Sequence, residues 1–190
     1  MDTKKKLLPD TAKLVFEGEI FKVYQWEQEL YDGSKTIFEK VLRSDTVEII
    51  ATVGEKIILI EQEQPTRAKF ISLPGGRVDS GEDVVVAAHR ELLEETGYVS
   101  KDLFLWQFIE DTGSVLWARN IFIARDCERI HNGTPDAGEK IEVKLIDFEN
   151  LLLLSENPLF RCKGRLKEMF YHFRLHKKER QAFYALLFEE

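Results

Sequence analysis

Residues 76–98 read GRVDSGEDVVVAAHRELLEETGY, and this stretch decides the fold. Ser80 followed three residues later by Asp83 has the form of a capping box. Its hydroxyl is expected to take a first-turn amide of a helix from about Glu82 to Thr96. Gly97 is the residue expected just past a helix end, where φ is usually positive. At about 100° per residue, Glu91, Glu94 and Glu95 share an arc of about 100° on that helix. Ala87 and Ala88 lie one turn earlier on the same side, leaving room for a ligand or another backbone. Like charges at i,i+4 destabilise a helix by about 0.2–0.5 kcal/mol per pair. A solvated glutamate face accommodates them at that cost. A cradle for hard divalent cations uses them, because such ions take carboxylate oxygens and keep waters for substrate phosphates.

The spacing separates the two readings. Gly76, five residues, Glu82, seven residues, then Arg90-Glu91-Leu92-Leu93-Glu94-Glu95-Thr96-Gly97 resembles the Nudix box, the signature of the Nudix hydrolases. The resemblance implies an α/β fold: a Nudix-type α/β/α sandwich with a mixed sheet, here with an N-terminal β-hairpin extension. It implies hydrolysis of a nucleoside diphosphate linked to another moiety, by a water that attacks phosphorus with divalent metal ions bound. Mg²⁺ is the default ion and Mn²⁺ a substitute of similar oxygen preference. Glu91 and Glu95 match the family's metal-binding glutamates, with Glu94 contributing and the Gly75 carbonyl as a further ligand. Glu94, Glu95 and Arg90 count among the catalytic residues. Arg90 and Glu82 are expected to hold loop and helix together rather than to ligate.

Beyond the box, roughly Phe16 to Phe148 resembles the ADP-ribose pyrophosphatase branch. The Asp32-Gly33 hairpin, the Val47–Ile60 strand pair and Leu73-Pro74-Gly75-Gly76 carry that likeness. Glu139-Lys140-Ile141-Glu142-Val143 lies where the branch carries a catalytic or metal-binding glutamate on a loop. Glu139 is assigned that role, with Glu142 as the fallback. Two departures stand out. Where many members have an arginine reaching the diphosphate, this chain has Gln64, with Arg67 as a substitute from the following loop. Many members place a proline about fifteen residues past the box, whereas here none occurs between Pro74 and Pro135. Trp26 and Phe21 are candidates for stacking on the base, and Gln64, Arg67 and Gly76 for contacting the rest of the substrate. The branch usually dimerises through its N-terminal strands, which implies a homodimer. An isolated hairpin is marginal in water, which argues the same way.

Composition bounds the rest. At 190 residues the chain accommodates one catalytic domain, taken as 46–190, and an extension, 1–45, read as a dimerisation and base-contact element. A net charge of −7 argues against DNA and disfavours bulk RNA binding. Cys127 and Cys162 lack metal-like spacing and read as free thiols in a reducing compartment. No apolar run reaches the ~20 residues of a membrane span, and Lys4-Lys5-Lys6 leads into no signal-peptide core. A cytoplasmic protein without membrane contact is expected.

Strands are expected over Phe21–Leu30, Lys35–Arg43, Thr46–Val53, Lys56–Gln62, Lys69–Leu73, Leu103–Ile109, Val115–Ala124 and Ile141–Ile146. Leu151–Leu154 reads as a helical turn or buried edge, and helix is expected from Asn157 onward. Trp106 and Trp117 read as core. Eight Lys and Arg residues between Arg161 and Arg180 read as a solvated helix face, or as a rim attracting a phosphate-rich substrate. The four histidines show no ligand spacing with carboxylates and take no role. Three functional readings follow: a nucleotide-sugar hydrolase, a pyrophosphohydrolase of noncanonical triphosphates or capped RNA, and a non-catalytic nucleotide-sensing module.

Overall fold

The computed structural model describes residues 7–134, 137–162 and 165–189, in two compact units. One comprises Met1–Asp45 with Ile109–Arg119, the other Thr46–Phe108 with Asn120–Glu190.

The first unit is built on a hairpin. Strands β2 (Phe21–Glu29) and β3 (Lys35–Arg43) pair antiparallel from Phe21↔Arg43 to Glu29↔Lys35. Asp32 Oδ1 closes the turn by accepting from the Ser34 amide at 2.9 Å and the Ser34 hydroxyl at 2.6 Å, the self-bonding that suits Asp to turns. Strand β1 (Lys13–Glu17), which periodicity alone does not announce, adds to β2 and is exposed throughout. Its neighbour on the far side is parallel, with β3 meeting the start of β9 (Val115–Arg125) at Val41↔Val115 and Leu42↔Leu116. Tyr24, Leu42 and Leu116 form a small core. Two guanidiniums lie over the Trp117 ring, Arg43 at 4.1 Å and Arg119 at 4.6 Å from its centre.

The second unit holds the larger core. Strands β4 (Thr46–Val53), β5 (Lys56–Gln64), β6 (Arg67–Ser72), β8 (Asp102–Thr112) and β11 (Lys140–Ile146) join β9 in a mixed sheet. β9, β4, β5 and β11 are successive neighbours, while β6 also pairs with β5 and β8 with β9. Both β8 and β9 have segments in each unit. β7 (Tyr98–Val99) and β10 (Glu128–Arg129) form a separate ribbon. Alternation along β4 sends Val47, Ile49 and Ala51 against Ala87, Ala88 and Leu92 of helix α1 (Val84–Thr96). The opposite face carries Thr52, whose hydroxyl reaches the Leu187 carbonyl of α4 (Lys177–Phe188). Helices α2 (Phe148–Leu153) and α3 (Leu166–Leu175) complete that layer, giving the α/β/α arrangement. Phe170, Phe183 and Leu187 are its buried anchors, and Trp106 stacks on Phe183 at 5.0 Å.

Local expectations are corrected at the start of α1 and at Asn157, and sharpened at Ala87–Ala88 and at residues 151–154. Helix α1 starts at Val84, and Asp83 rather than Ser80 caps it, its Oδ1 accepting from Val85 N at 2.8 Å and Val86 N at 3.3 Å. Residues 79–82 close a turn of their own, with Glu82 N donating to the Asp79 carbonyl at 3.0 Å, so the helix cannot begin earlier. Ala87 and Ala88 are fully buried in the core, so of the two occupants expected beside them it is another part of the chain, strand β4, that fills the space. Helix does not resume at Asn157: residues 159–161 run beside β6, with Ile71 N donating to Leu159 O and Arg161 N to Ile71 O. Residues 151–154, read as a helical turn or buried edge, are helical: they belong to α2 and a following 3₁₀ turn, Leu154–Glu156. Among the described residues no helix is long and apolar enough to cross a membrane.

Candidate active site

The site grows from the way the loop after β6 is clamped to β4. Val47 N donates to the Gly76 carbonyl at 3.0 Å and Ile49 N to the Pro74 carbonyl at 2.8 Å, so Pro74-Gly75-Gly76 runs as a backbone partner of β4. Gly75 has φ of +145°, and a Cβ there would overlap the Val47 carbonyl and come within 2.8 Å of Glu48 Cα. Only glycine fits that backbone and that space. At Gly76 the obstacle is the Glu91 carboxylate, which occupies the space a Cβ would fill.

Helix α1 supplies the other half. Its last turn ends at Gly97, φ +76°, whose amide donates to the Leu93 carbonyl at 2.8 Å. Glu95, only 7% exposed, accepts the Gly75 amide at 2.7 Å through Oε2. Arg90 binds Glu82 in a two-pronged contact, Nε to Oε1 and Nη2 to Oε2, both at 2.9 Å. Its Nη1 spans Glu91 Oε1 at 2.9 Å and Glu94 Oε2 at 3.1 Å, and Nη2 reaches the Arg77 carbonyl at 3.0 Å. A planar guanidinium meets this many acceptors at once, which an ammonium cannot. The Arg90 hydrogen bonds hold the Glu82 carboxyl below its ordinary value, and Glu82 in turn holds the guanidinium proton more tightly. Glu82 also accepts the Asp79 amide at 2.9 Å, so one carboxylate ties the loop to the helix.

The donor set answers what such a site accepts. Glu91, Glu94 and Glu95 offer carboxylate oxygens on one helical face, beside the loop of Gly75 and Gly76 and with no sulfur or imidazole among those contacts. Oxygen-only donors fit a hard divalent cation. Three carboxylates, those of Glu82, Glu91 and Glu94, share the single charge of Arg90, and Glu95 adds a fourth nearby on the Gly75 amide, so negative charge is left in excess and the fit to a cation is electrostatic as well as chemical.

A second polar line runs along the same face of the sheet. Gln62 Nε2 donates to Ser72 Oγ at 2.8 Å, Gln64 Nε2 to Gln62 Oε1 at 3.2 Å, and Gln64 Nε2 to Glu139 Oε1 at 3.0 Å. Gln64, expected to face the substrate, thus binds Glu139. Glu142 pairs with Lys144 on exposed positions of β11, while the intervening Val143 packs into the core beneath α1. Alternation therefore turns Glu142 away from the face of Glu139. Arg67 is exposed and opposes Gln64 across the β5–β6 turn.

The aromatic candidates lie in the first unit. Trp26 is 9% exposed and packs edge-on against Phe38 at 6.1 Å, whereas Phe21 is 44% exposed. Two groups, one buried and one exposed, escaped the sequence reading. Glu48, 3% exposed, is the lone charge within the apolar run of β4, a signal that was present but unused. His172 and His176 come together with Glu179 at the α3–α4 junction, where the histidines had been given no carboxylate partner. Both cysteines are free, and burial pushes the Cys127 thiol up to about 12 and Cys162 to about 11, which makes them inert.

Comparison with known proteins gives the class. The model of the NUDIX domain matches residues 42–166, and the chain belongs to the Nudix hydrolase family. It is 29% identical over 147 residues to an ADP-ribose pyrophosphatase of Bacillus subtilis (strain 168), covering 75% of this chain and 80% of that one. It is 26% identical over 165 residues to the ADP compounds hydrolase NudE of Escherichia coli (strain K12), covering 84% and 87%. A crystal structure of an ADP compounds hydrolase superposes with a TM-score of 0.69 at 25% identity, covering 89% of this chain and 92% of the other. Enzymes of this family depend on a divalent metal and act on small nucleotide substrates.

Proposed function

We propose that the protein hydrolyses ADP-ribose, or a closely similar nucleotide sugar, to two monophosphates with Mg²⁺ bound. The observation that carries this is the docking of the carboxylate face of α1 onto the Pro74-Gly75-Gly76 loop, centred on the Gly75–Glu95 hydrogen bond of 2.7 Å. The names of the B. subtilis and E. coli relatives supply the substrate class. Glu91, Glu94, Glu95 and the Gly75 carbonyl would hold the metal. When bound, Mg²⁺ neutralises phosphate charge and lowers the pKa of a coordinated water.

The chain does the remainder. Arg90 keeps Glu91 and Glu94 in register with the loop and reduces their mutual repulsion. Glu139, anchored through Oε1 by Gln64, receives the proton of the attacking water. Exposed Phe21 offers a ring for the base, whereas Trp26 is packed against Phe38 within the hairpin. The active molecule is a homodimer joined through the N-terminal strands, in keeping with the fully exposed β1 and its apolar Leu14, Val15 and Phe16. Light scattering should give twice the 22.2 kDa chain mass; a monomer at micromolar concentration would overturn the dimer.

The test of the activity is phosphate release from ADP-ribose, nucleotide sugars, dinucleotides, nucleoside triphosphates and capped RNA with Mg²⁺, read through a coupled phosphatase. Turnover of ADP-ribose or a nucleotide sugar above all others is expected. Preference for triphosphates or capped RNA would overturn the substrate assignment, and binding without turnover of any compound would overturn the enzymatic one.

A further inference from the structure

The junction of α3 and α4 gathers three metal-binding side chains away from the acidic site. His172 lies in the last turn of α3, His176 ends α3 and opens α4, and Glu179 lies in the first turn of α4. One donor atom from each lies within 4.8 Å of the others, and the two imidazole rings stack at 3.9 Å. We propose that His172, His176 and Glu179 form a second metal site, selective for a Zn²⁺-class ion over Mg²⁺.

The chemistry of the donors decides the ion. Two imidazole nitrogens and one carboxylate oxygen suit Zn²⁺, Co²⁺, Ni²⁺ or Cu²⁺, with water completing the shell, whereas Mg²⁺ prefers oxygen alone. The backbone prepares the geometry. His172 and His176 stand four residues apart, so they share one face of a helix. The chain turns at His176, φ −117° and ψ 96°, yet stays tied on both sides: His176 N donates to His172 O at 3.0 Å, and Arg180 N to His176 O at 2.9 Å. Tetrahedral Zn²⁺ needs donor atoms about 3.3 Å apart, so the present 4.8 Å spread closes by about 1.5 Å. All three side chains are exposed, and rotation about their χ angles supplies that movement.

The surrounding charge is basic, and much of it is engaged elsewhere. Arg174 pairs with Glu156 at 2.7 Å and Arg180 with Glu149. Lys177 and Lys178 are exposed, where salt screens their repulsion of a dication. A bound ion would tie the end of α3 to the start of α4. Phe173 of α3 and Phe183 of α4 already stack at 4.6 Å, so the ion would reinforce an existing joint.

The experiment is calorimetric titration of Zn²⁺ into the full chain in saturating Mg²⁺, comparing wild type with His172→Ala/His176→Ala and Glu179→Gln. Wild type should take up one equivalent more than the double variant. Glu179→Gln should retain that equivalent with affinity lowered by about tenfold or more. Turnover with Mg²⁺ alone should be the same in all three proteins. Equal Zn²⁺ uptake by wild type and a folded double variant would overturn the site. Should circular dichroism show the double variant unfolded, Glu179→Gln decides: unchanged Zn²⁺ affinity overturns the proposal.

Discussion

Gln64 Nε2 donates to Glu139 Oε1 at 3.0 Å, joining β5 to the residue before β11 across 75 positions of sequence. The contact makes Gln64 a positioning residue for a carboxylate that no helix or strand holds. Glu139→Gln should lower kcat by about 100-fold or more, the scale of a lost general base. Gln64→Ala should lower it by about tenfold, as loss of a supporting partner does. Steady-state kinetics check both, and a Gln64→Ala loss matching that of Glu139→Gln would point to direct substrate contact instead.

Adjacent glycines should fail in different ways. Gly75→Ala forces a residue with a Cβ into φ of +145° against the β4 backbone, and should cost about 1–3 kcal/mol of stability. Gly76→Ala meets only the tip of Glu91, which swings aside. It should melt near the wild-type temperature while losing turnover. Melting curves and kinetics on the pair separate the two effects.

Mg²⁺ should stabilise the protein by mass action, by about 2.7 kcal/mol at a hundredfold excess over Kd. Glu91→Gln should remove most of that gain. Glu95→Gln should stay folded and lose about 100-fold or more in kcat, exceeding the loss typical of an outer partner. Thermal melting with and without Mg²⁺, alongside turnover, tests both substitutions.

Arg90→Lys keeps the charge but cannot reproduce contacts to Glu82, Glu91, Glu94 and the Arg77 carbonyl together. Loss of the paired bonds to Glu82 should destabilise by about 1.5–3 kcal/mol. Denaturant unfolding measures it.

Acid should find the same joint. The Glu82 carboxyl is held below 4.5 in the fold, chiefly by Arg90, so the unfolded chain takes up its proton first. Its contribution is complete above pH 4.5 and disappears as pH falls through the lowered folded value. The melting temperature of Glu82→Gln should therefore fall less steeply than that of wild type below pH 4.5.

What could be read from the chain follows from how local each feature is. The box helix, its Gly97 cap and the shared face of Glu91, Glu94 and Glu95 depend on spacing within 23 residues, and the structure shows them so. The β2–β3 hairpin was legible for the same reason, its turn being closed within residues 30–34 by Asp32 and by backbone bonds of Leu30. The cap at Asp83 was missed because Ser80 offered an equally good local signal, and only the Asp79–Glu82 turn excludes it. The Gln64–Glu139 contact was beyond reach, since strand register brings the two together. So was the stretch at 159–161, where pairing with Ile71 overrides helix propensity. The His172, His176 and Glu179 group was legible, since i, i+4 and i+7 is the spacing of one helical face, and it holds across the bend at His176.

The end of α1 is fastened to the segment leading toward Glu139. Ile130 N donates to Gly97 O at 2.9 Å, Thr134 N to Glu94 O at 2.7 Å, and a Cβ on Gly97 would overlap the His131 carbonyl. The acceptors are main-chain carbonyls, so the mooring depends on the course of α1 and on a glycine at position 97, not on the glutamate side chains. For anyone grafting loops between relatives to change what is cleaved, residues 130–134 are therefore exchangeable while Glu94 and Glu95 stay in place, provided the recipient keeps its counterpart of Gly97.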